Sequence, residues 1–193
     1  MHIYTTFFLE YCKNYREIGS VVPDSRRCLD LMLTSVPFES AKIIVEFGAA
    51  SGAVTREIIR RKHSDTLFFA FEKNPVFFEL LSNTVKGMNT TLVNASVFEC
   101  ADILSEQFAL DPGSVDCIVS TLPCSNIDID GLLRRSVFPL LDADGQFIQY
   151  MHVISLFKGY QLKSILASYF ESVNSKLVMR NVPPVIIYDC SRF

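Results

Sequence analysis

The chain has almost no excess of charge of either sign. Its 193 residues include 18 Lys and Arg against 21 Asp and Glu, which gives a formal net charge of −3. Proteins that bind nucleic acid over a wide surface usually carry a basic excess, and this balance argues against such a surface. We therefore do not expect nucleic acid to be a partner.

The chain also lacks Cys-x-x-Cys pairs, long apolar runs and a signal-peptide pattern. Its six cysteines are scattered, and several fall in apolar segments typical of strands, so we expect buried, reduced thiols. No run of 18 or more uninterrupted apolar residues is present, and the first residues do not have the pattern of a leader. We expect a cytoplasmic protein that is at most peripheral on the inner face of the membrane. The cysteines are Cys12, Cys28, Cys100, Cys117, Cys124 and Cys190.

The chain is rich in hydrophobic residues. Hydrophobic residues make up 49% of it, with 16 Phe, and its length suits one domain that buries about 70% of its unfolded surface. From residue 42 onward, apolar runs alternate with amphipathic stretches, and no helix separates the last two runs. This order predicts an α/β fold with a doubly wound, seven-stranded, mostly parallel sheet and an antiparallel last strand. The predicted strands cover residues 42–47, 66–71, 90–95, 115–121, 146–152, 172–180 and 185–190.

A strand, a glycine turn, a helix and a second strand follow one another between residues 42 and 74. The turn contains Gly48 and Gly52, which let the backbone bend sharply and approach a ligand where a Cβ would collide. Glu72 follows the second strand, about 20 residues beyond the turn, where a carboxylate can accept hydrogen bonds from ribose hydroxyls. The combination predicts a site for an adenosine group. The structural alternative is an ordinary turn between a strand and a helix.

Several segments, in order along nearly the whole chain, resemble one family. The spacing Glu46-x-Gly48-x-x-x-Gly52 is similar to motif I of class I S-adenosylmethionine (SAM) methyltransferases, acid-x-Gly-x-Gly-x-Gly, with Ala50 at the middle glycine and Ser51 where Thr is common. Within that class the chain resembles bacterial phospholipid N-methyltransferases, which are similar in sequence to ribosomal RNA adenine dimethylases. Residues 120–123 and 180–184 carry the more specific part of the resemblance. The other resembling segments are 19–26, 45–55, 71–75 and 147–150.

The resemblance implies a single Rossmann-like methyltransferase domain over residues 1–193, with the core in 37–193. It implies SAM as cofactor, no metal, and methyl transfer to the amine of phosphatidylethanolamine-type phospholipids. Helices within residues 1–36 are then expected to cover the cofactor site or to contact the membrane. An aromatic stripe on the helix predicted over residues 3–18 suits either role.

Ten residues are expected around the cofactor. Glu72 is expected on the ribose, the backbone of the turn beside the methionine part, and Ser96 with Val97 beside the adenine. Ser96 stands where the family often has an acid. The expected cofactor-binding residues are Glu46, Gly48, Ala49, Ala50, Gly52, Glu72, Lys73, Ser96, Val97 and Ser120.

Catalysis and substrate binding draw on other positions. An amine that arrives as an ammonium must lose a proton before its lone pair can attack, and His152 is placed to help, or else it is a hydrogen-bonded histidine at the rim. Tyr150 and Tyr4 can offer ring faces to a cation or pack in the core. Arg180 can pair with a lipid phosphate or with a carboxylate. The expected catalytic residues are His152 and Tyr150, and the expected substrate-binding residues are Tyr4, Ser20, Leu122, Pro123 and Arg180.

Other functions remain open on the same residues. The nucleic-acid relatives carry Asn-x-Pro-aromatic after the fourth strand, where this chain has Thr-Leu-Pro-Cys at residues 121–124. Without the amide and the ring, a flipped adenine loses its main contacts. The alternatives are an rRNA adenine or small-molecule methyltransferase on the same fold, or a degenerate SAM-binding module.

Overall fold

The computed structural model describes residues 25–85, 89–124, 127–153, 156–179, 181 and 183–192, without the side chains of 156–159. The helix predicted over residues 3–18 and the predicted site residues Tyr4, Ser20 and Arg180 lie outside the described residues. The division between residues 1–36 and 37–193 stays a prediction.

A single seven-stranded sheet forms the middle of the molecule, in the order β3-β2-β1-β4-β5-β7-β6. Strands β1 to β5 pair in parallel, and β7 pairs antiparallel with both β5 and β6. The predicted doubly wound α/β fold with an antiparallel last strand is confirmed. The strands are β1 Ile43–Phe47, β2 Leu67–Phe71, β3 Thr90–Val93, β4 Val115–Ser120, β5 Leu141–His152, β6 Ser172–Val178 and β7 Val185–Ser191.

Helices cover both faces of the sheet. The first face packs on the N-terminal helices, with Met32, Ile58 and Leu81 in its core, and the second packs on later helices through residues such as Leu104 and Leu166. None of the described helices has the length and apolar character needed to span a membrane. The helices are α1 Arg26–Met32, α2 Ala53–Arg61, α3 Pro75–Thr84, α4 Cys100–Phe108, α5 Ile129–Leu132, α6 Phe138–Leu140 and α7 Leu156–Ala167, with a π-helical segment Leu133–Val137 and short 3-10 turns Leu33–Ser35 and Val97–Glu99.

The central strands are buried on both faces, as their apolar composition predicts. All five residues of β1 are buried, and so is β4 apart from Asp116. The five described cysteines are free, as expected, and four of them are buried.

Strand β5 begins five residues earlier than predicted. Asp142–Gly145, just before the predicted strand, has the residue types of a turn, but Leu141 already pairs with Val115, and pairing resumes only at Gln146 with Cys117. The intervening residues bulge, because four residues lie opposite Asp116 alone, and the Asp144 N–H bonds the Asp142 carboxylate at 2.9 Å. The segment thus has the residues of a turn but forms a bulge inside β5.

The carboxyl ends of β1 to β5 meet at one edge of the sheet, where a doubly wound fold places its ligand crevice. β6 also ends at this edge, because it is antiparallel to β7 and so parallel to the first five strands. The glycine turn after β1, Glu72 after β2, Ser120 at the end of β4 and His152 at the end of β5 therefore lie along one rim.

Candidate functional site

The turn between β1 and α2 is held by main-chain hydrogen bonds. The Gly48 and Ala49 N–H groups both donate to the Phe71 carbonyl, at 2.9 and 3.1 Å, and the Gly52 N–H donates to the Ala49 carbonyl at 2.8 Å. Three of its residues have a positive φ: Gly48 at 82°, Ala50 at 45° and Gly52 at 76°. The turn is thus a left-handed bend that two glycines accept freely and one alanine does not.

Close packing explains why the two glycines are needed. A Cβ on Gly52 would stand 2.3 Å from Leu81 Cδ1 on α3, and one on Gly48 would stand 2.9 Å from Leu122 Cδ2 in the segment after β4. A Cβ at Gly52 would therefore force α2 and α3 apart, and a Cβ at Gly48 would push away the segment after β4.

Glu72 ties the turn to the end of β2. Its side chain is buried at 8% exposure, Oε2 accepts the Ala50 N–H at 2.7 Å, and Oε1 accepts the Asn74 N–H at 2.8 Å. Each carboxylate oxygen can accept more than one hydrogen bond, so these contacts leave acceptor capacity for a ligand hydroxyl. The carboxylate is therefore fixed in place by the main chain on both sides. Its role on a ribose stays a prediction.

Glu46 lies beneath the turn in an apolar layer. Its side chain is fully buried, and the Thr55 hydroxyl on α2 donates to Oε2 at 2.7 Å. Oε1 is buried and has no hydrogen-bond partner among the described residues. Burial is the main cause that raises the pKa of Glu46 to about 8, and the nearby Glu72 charge adds to it. A positive charge near the turn would therefore lower the pKa of Glu46 and favour its ionised form.

At the other end of the crevice, the segment after β4 is tied to both of its neighbours. The Thr121 hydroxyl donates to the Gly48 carbonyl at 2.8 Å, which links this segment to the glycine turn. On the other side, Gln149 Nε2 of β5 donates to the Leu122 carbonyl at 3.2 Å, and the Cys124 thiol lies 3.5 Å from the same oxygen. The segment therefore bridges β1 and β5.

No protein-family model matches the chain. An ornithine lipid N-methyltransferase of Singulisphaera acidiphila is 27% identical over 190 residues, which cover 95% of each chain. A precorrin-6y C5,15-methyltransferase of Geobacter metallireducens superposes with a TM-score of 0.64 at 19% identity, covering 88% of this chain and 89% of the other. A 1,6-didemethyltoxoflavin N1-methyltransferase of Burkholderia thailandensis, solved with S-adenosylhomocysteine, superposes at 0.63 with 17% identity over 87% and 78% of the two chains.

The chain has the class I methyltransferase fold. Together with the relative that matches over 95% of both chains, the fold confirms the predicted class of enzyme, a SAM-dependent methyltransferase. The residues of the methyltransferase also fit such a cofactor. The turn leaves no room for a Cβ at Gly48, Glu72 offers a fixed carboxylate at the strand tip, and Glu46 Oε1 has no protein partner.

Tyr150 and His152 form a pair at the end of β5. The Tyr150 hydroxyl lies 3.1 Å from His152 Nε2, and the two rings meet edge to face with centroids 5.0 Å apart. Tyr150 is only 4% exposed and belongs to the core, so its ring is mostly covered, whereas His152 is half-buried. The catalytic roles expected for the pair stay predictions.

The residues expected beside the adenine make local contacts within the protein. Ser96 Oγ accepts the Phe98 N–H at 3.3 Å and so caps the 3-10 turn, and the Val97 side chain is buried. Lys73 is exposed beside Glu72. The described residues contain no group of three or more His, Cys, Asp or Glu side chains that could hold a metal ion. Binding of the adenine by Ser96 and Val97 stays a prediction.

Sequence reasoning did not identify Thr55 and Gln149 as residues of the site. It also did not predict the hydrogen bond from Thr121 to the glycine turn. Thr55 and Gln149 are both fully buried. Gln149 stands in the apolar stretch 147–151, and a polar residue whose neighbours are all core is the signal that could have found it. Thr55 lies next to the exposed Arg56 in an amphipathic helix, where its residue type gave no such signal.

Proposed function

We propose that the protein transfers methyl groups from SAM to the primary amine of an aminolipid. The observation that carries the proposal is the match to an ornithine lipid N-methyltransferase over 95% of both chains. The resemblance of residues 120–123 and 180–184 to phospholipid N-methyltransferases supports it. The shared chemistry is a lipid with a primary amine, and phosphatidylethanolamine and ornithine lipid are its two candidate sources.

The arrangement of the crevice suits this reaction. SAM supplies a methyl group on a positively charged sulfur, which is already strongly electrophilic, so the protein has to orient the amine and exclude water. The Glu72 carboxylate and the backbone of the turn would hold the cofactor at one end. At the other end, Leu122 packs against Gly48 and brings an apolar side chain to the place where the two reactants would meet.

The amine has to be unprotonated when it attacks. His152 is the described residue we assign to this proton, because it lies at the rim at the end of β5 and its ring nitrogens face the Tyr150 hydroxyl. A neutral imidazole can take the proton of the ammonium directly or through water, and Tyr150 holds the ring in place.

Radiolabelled SAM and vesicles test the lipid acceptor. We expect label in the lipid fraction with vesicles that contain phosphatidylethanolamine or ornithine lipid, and none with phosphatidylcholine, which has no N–H to replace. Label in RNA or in a soluble amine would instead support the alternative acceptors. Absence of label from every lipid, with S-adenosylhomocysteine still bound, would overturn the proposal.

Membrane contact through residues 3–18 is part of the proposal. Co-sedimentation with the same vesicles, for the full chain and for a variant lacking residues 1–18, measures it. We expect the full chain to sediment with vesicles and the shortened chain to stay in solution. Equal sedimentation of the two would show that this segment does not make the contact.

Replacement of Glu72 tests the cofactor end. Glu72→Ala removes an ionised acceptor from the turn, and hydrogen bonds to charged groups contribute about 1.5–3 kcal/mol each. We expect S-adenosylhomocysteine to bind at least about a hundredfold more weakly by calorimetry. Glu79→Ala, on the exposed side of α3, is the matched control and should bind normally. Normal binding by Glu72→Ala would remove the cofactor role from this carboxylate.

A further inference from the structure

Two oxygens on neighbouring side chains at the acceptor end of the crevice are buried and have no partner among the described residues. Ser120 ends β4, and it pairs in register with Gln149 of β5. Paired residues of parallel strands present their side chains on the same face of the sheet, so the two side chains are neighbours. Both residues are 0% exposed, and within the described part of the chain neither Ser120 Oγ nor Gln149 Oε1 has a hydrogen-bond partner.

The amide of Gln149 is oriented by its nitrogen. Nε2 donates to the carbonyls of Tyr150, Leu122 and Ser120 at 2.7, 3.2 and 3.4 Å. A flipped amide would set Oε1 against these carbonyl oxygens, which cannot donate. Oε1 is therefore left as an acceptor that no described protein group uses.

Buried polar atoms almost always find partners in folded proteins, so two that do not, side by side, need an explanation. Their position supplies one. They stand at the carboxyl ends of β4 and β5, next to the segment after β4, and Leu122 of that segment packs on the glycine turn where the cofactor is expected. A ligand group that fits here must bring N–H or O–H donors.

We propose that Ser120 Oγ and Gln149 Oε1 accept hydrogen bonds from the amine that receives the methyl group. This inference rests on the proposed function and deepens it. Two acceptors on the N–H groups leave the nitrogen lone pair free to face the methyl group, whereas a donor at the same place would compete for it. The pair also distinguishes an amine that still has N–H groups from a quaternary ammonium, which has none.

The amine reaches the pair past the segment after β4. Both oxygens are shielded from solvent in this structure, and two contacts join the segment to β5: Gln149 Nε2 to the Leu122 carbonyl at 3.2 Å and the Cys124 thiol to the Tyr150 carbonyl at 3.8 Å. Entry of the amine requires the segment to exchange these two contacts for contacts with the ligand.

Ser120→Ala is the sharpest test, because the hydroxyl it removes has no partner to lose. We expect the melting temperature to stay the same or rise, the affinity for S-adenosylhomocysteine to stay within twofold, and kcat/KM for the aminolipid to fall about tenfold. Thr66→Val is the matched control: Thr66 Oγ1 is also buried, but it donates to the Ala41 carbonyl at 2.8 Å at the opposite edge of the sheet. This control should lower the melting temperature and leave kcat/KM unchanged.

Gln149→Met tests the second oxygen. It keeps the length of the side chain and removes both the acceptor and the donors, so we expect a lower melting temperature and a fall in kcat/KM larger than for Ser120→Ala. Unchanged kcat and KM in both variants would overturn the proposal. A weaker S-adenosylhomocysteine affinity in Ser120→Ala would also overturn it, because the hydroxyl would then belong to the cofactor site.

A binding experiment separates this proposal from the proposed function. The wild-type protein and Ser120→Ala, each saturated with S-adenosylhomocysteine, are titrated with phosphoethanolamine and with phosphocholine. We expect the wild type to bind the first at least tenfold more tightly than the second, and Ser120→Ala to lose most of that preference. This result without any lipid methylation would reject the lipid acceptor but keep the amine site. Equal binding of the two headgroups, or none, would overturn the amine site.

Discussion

The two ends of the crevice differ in how the protein satisfies its own polar groups, although each has a buried oxygen without a partner among the described residues, at the first end Glu46 Oε1 beneath the turn. At the end formed by β1 and β2, the glycine turn is held by the Phe71 carbonyl and by Glu72, with bonds of 2.7 to 3.1 Å. At the end formed by β4 and β5, Ser120 and Gln149 keep buried oxygens without partners. The main chain of the first end is therefore fixed before any ligand arrives, whereas the second, in our proposal, is completed by a molecule that brings donors.

This difference follows from what each end has to recognise. The cofactor is the same in every turnover, so main-chain groups and one carboxylate can be fixed for it in advance. An amine acceptor of the proposed kind would lose N–H donors as it gains methyl groups, so contacts with it should be strong for the substrate and weak for the methylated product. Three substitutions at the cofactor end measure how rigid that end is.

Gly52→Ala should have the largest effect on stability near pH 5, where Glu46 still keeps its proton in the folded protein. The added Cβ would stand 2.3 Å from Leu81, and the residue has φ 76°, so we expect a loss of at least about 3 kcal/mol in the free energy of unfolding. Gly113→Ala is the matched control: its φ is 69°, but the nearest atom to its Cβ is the Leu141 carbonyl oxygen at 3.9 Å. The strain of a positive φ should lower the free energy of unfolding of Gly113→Ala by about 1 kcal/mol. Denaturant titration measures both, and equal losses would mean that the turn does not pack as tightly as described.

Glu46 should make stability depend on pH. Its pKa is about 8 in the folded protein and 4.5 for the free group, so the folded state holds the proton more tightly. The stabilisation is complete below pH 4.5 and is lost as the pH rises to 8, by about 3–5 kcal/mol in all. Glu46→Gln should remove this loss and be the more stable protein at pH 8.

Glu57→Gln is the control of opposite sign for that experiment. Arg60 and Arg61 lower the pKa of Glu57, so its smaller contribution is present above pH 4.5 and is lost as the pH falls. Denaturant titrations between pH 4 and pH 9 compare the three proteins. A Glu46→Gln protein with the same pH dependence as the wild type would show that Glu46 ionises normally.

Ala50→Gly should have the smallest effect, and a favourable one. Ala50 has φ 45° at the place of the middle glycine of motif I, where a Cβ costs about 1–2 kcal/mol and the added freedom of glycine when unfolded returns part of it. We expect a gain of about 0.5–1 kcal/mol by denaturant titration. Ala109→Gly, with φ 55° at the end of α4, should gain as much without changing S-adenosylhomocysteine affinity. A loss of stability in Ala50→Gly would mean that its methyl group packs.

The cofactor end could be located from sequence because its parts are local. Gly48, Gly52 and Glu72 fall within 25 residues of one another. The two glycines have a positive φ, and Glu72 binds main-chain N–H groups on both sides. The alternation of apolar runs likewise predicted all seven strands. The largest error in their bounds was the start of β5, because a bulge at Asp142–Gly145 contains the same residue types as a turn, and β3 ends two residues earlier than predicted.

The acceptor end could not be predicted in the same way. Its contacts join residues far apart in the chain, such as Gln149 with Leu122, and depend on which face of β5 each side chain occupies. Neither fact follows from residue spacing alone. Glu46 was chosen for its motif position, but the partner that leaves one of its oxygens free, Thr55, is known only once α2 is packed on β1.

One hydroxyl joins the two ends. The Thr121 side chain bonds the carbonyl of Gly48, while its main chain continues directly into Leu122. A displacement of either loop would therefore strain this bond, and any change that one ligand makes in the affinity of the other is matched by the same factor in the reverse direction. We expect the enzyme to bind its two reactants cooperatively, with this threonine as the mechanical coupling between them.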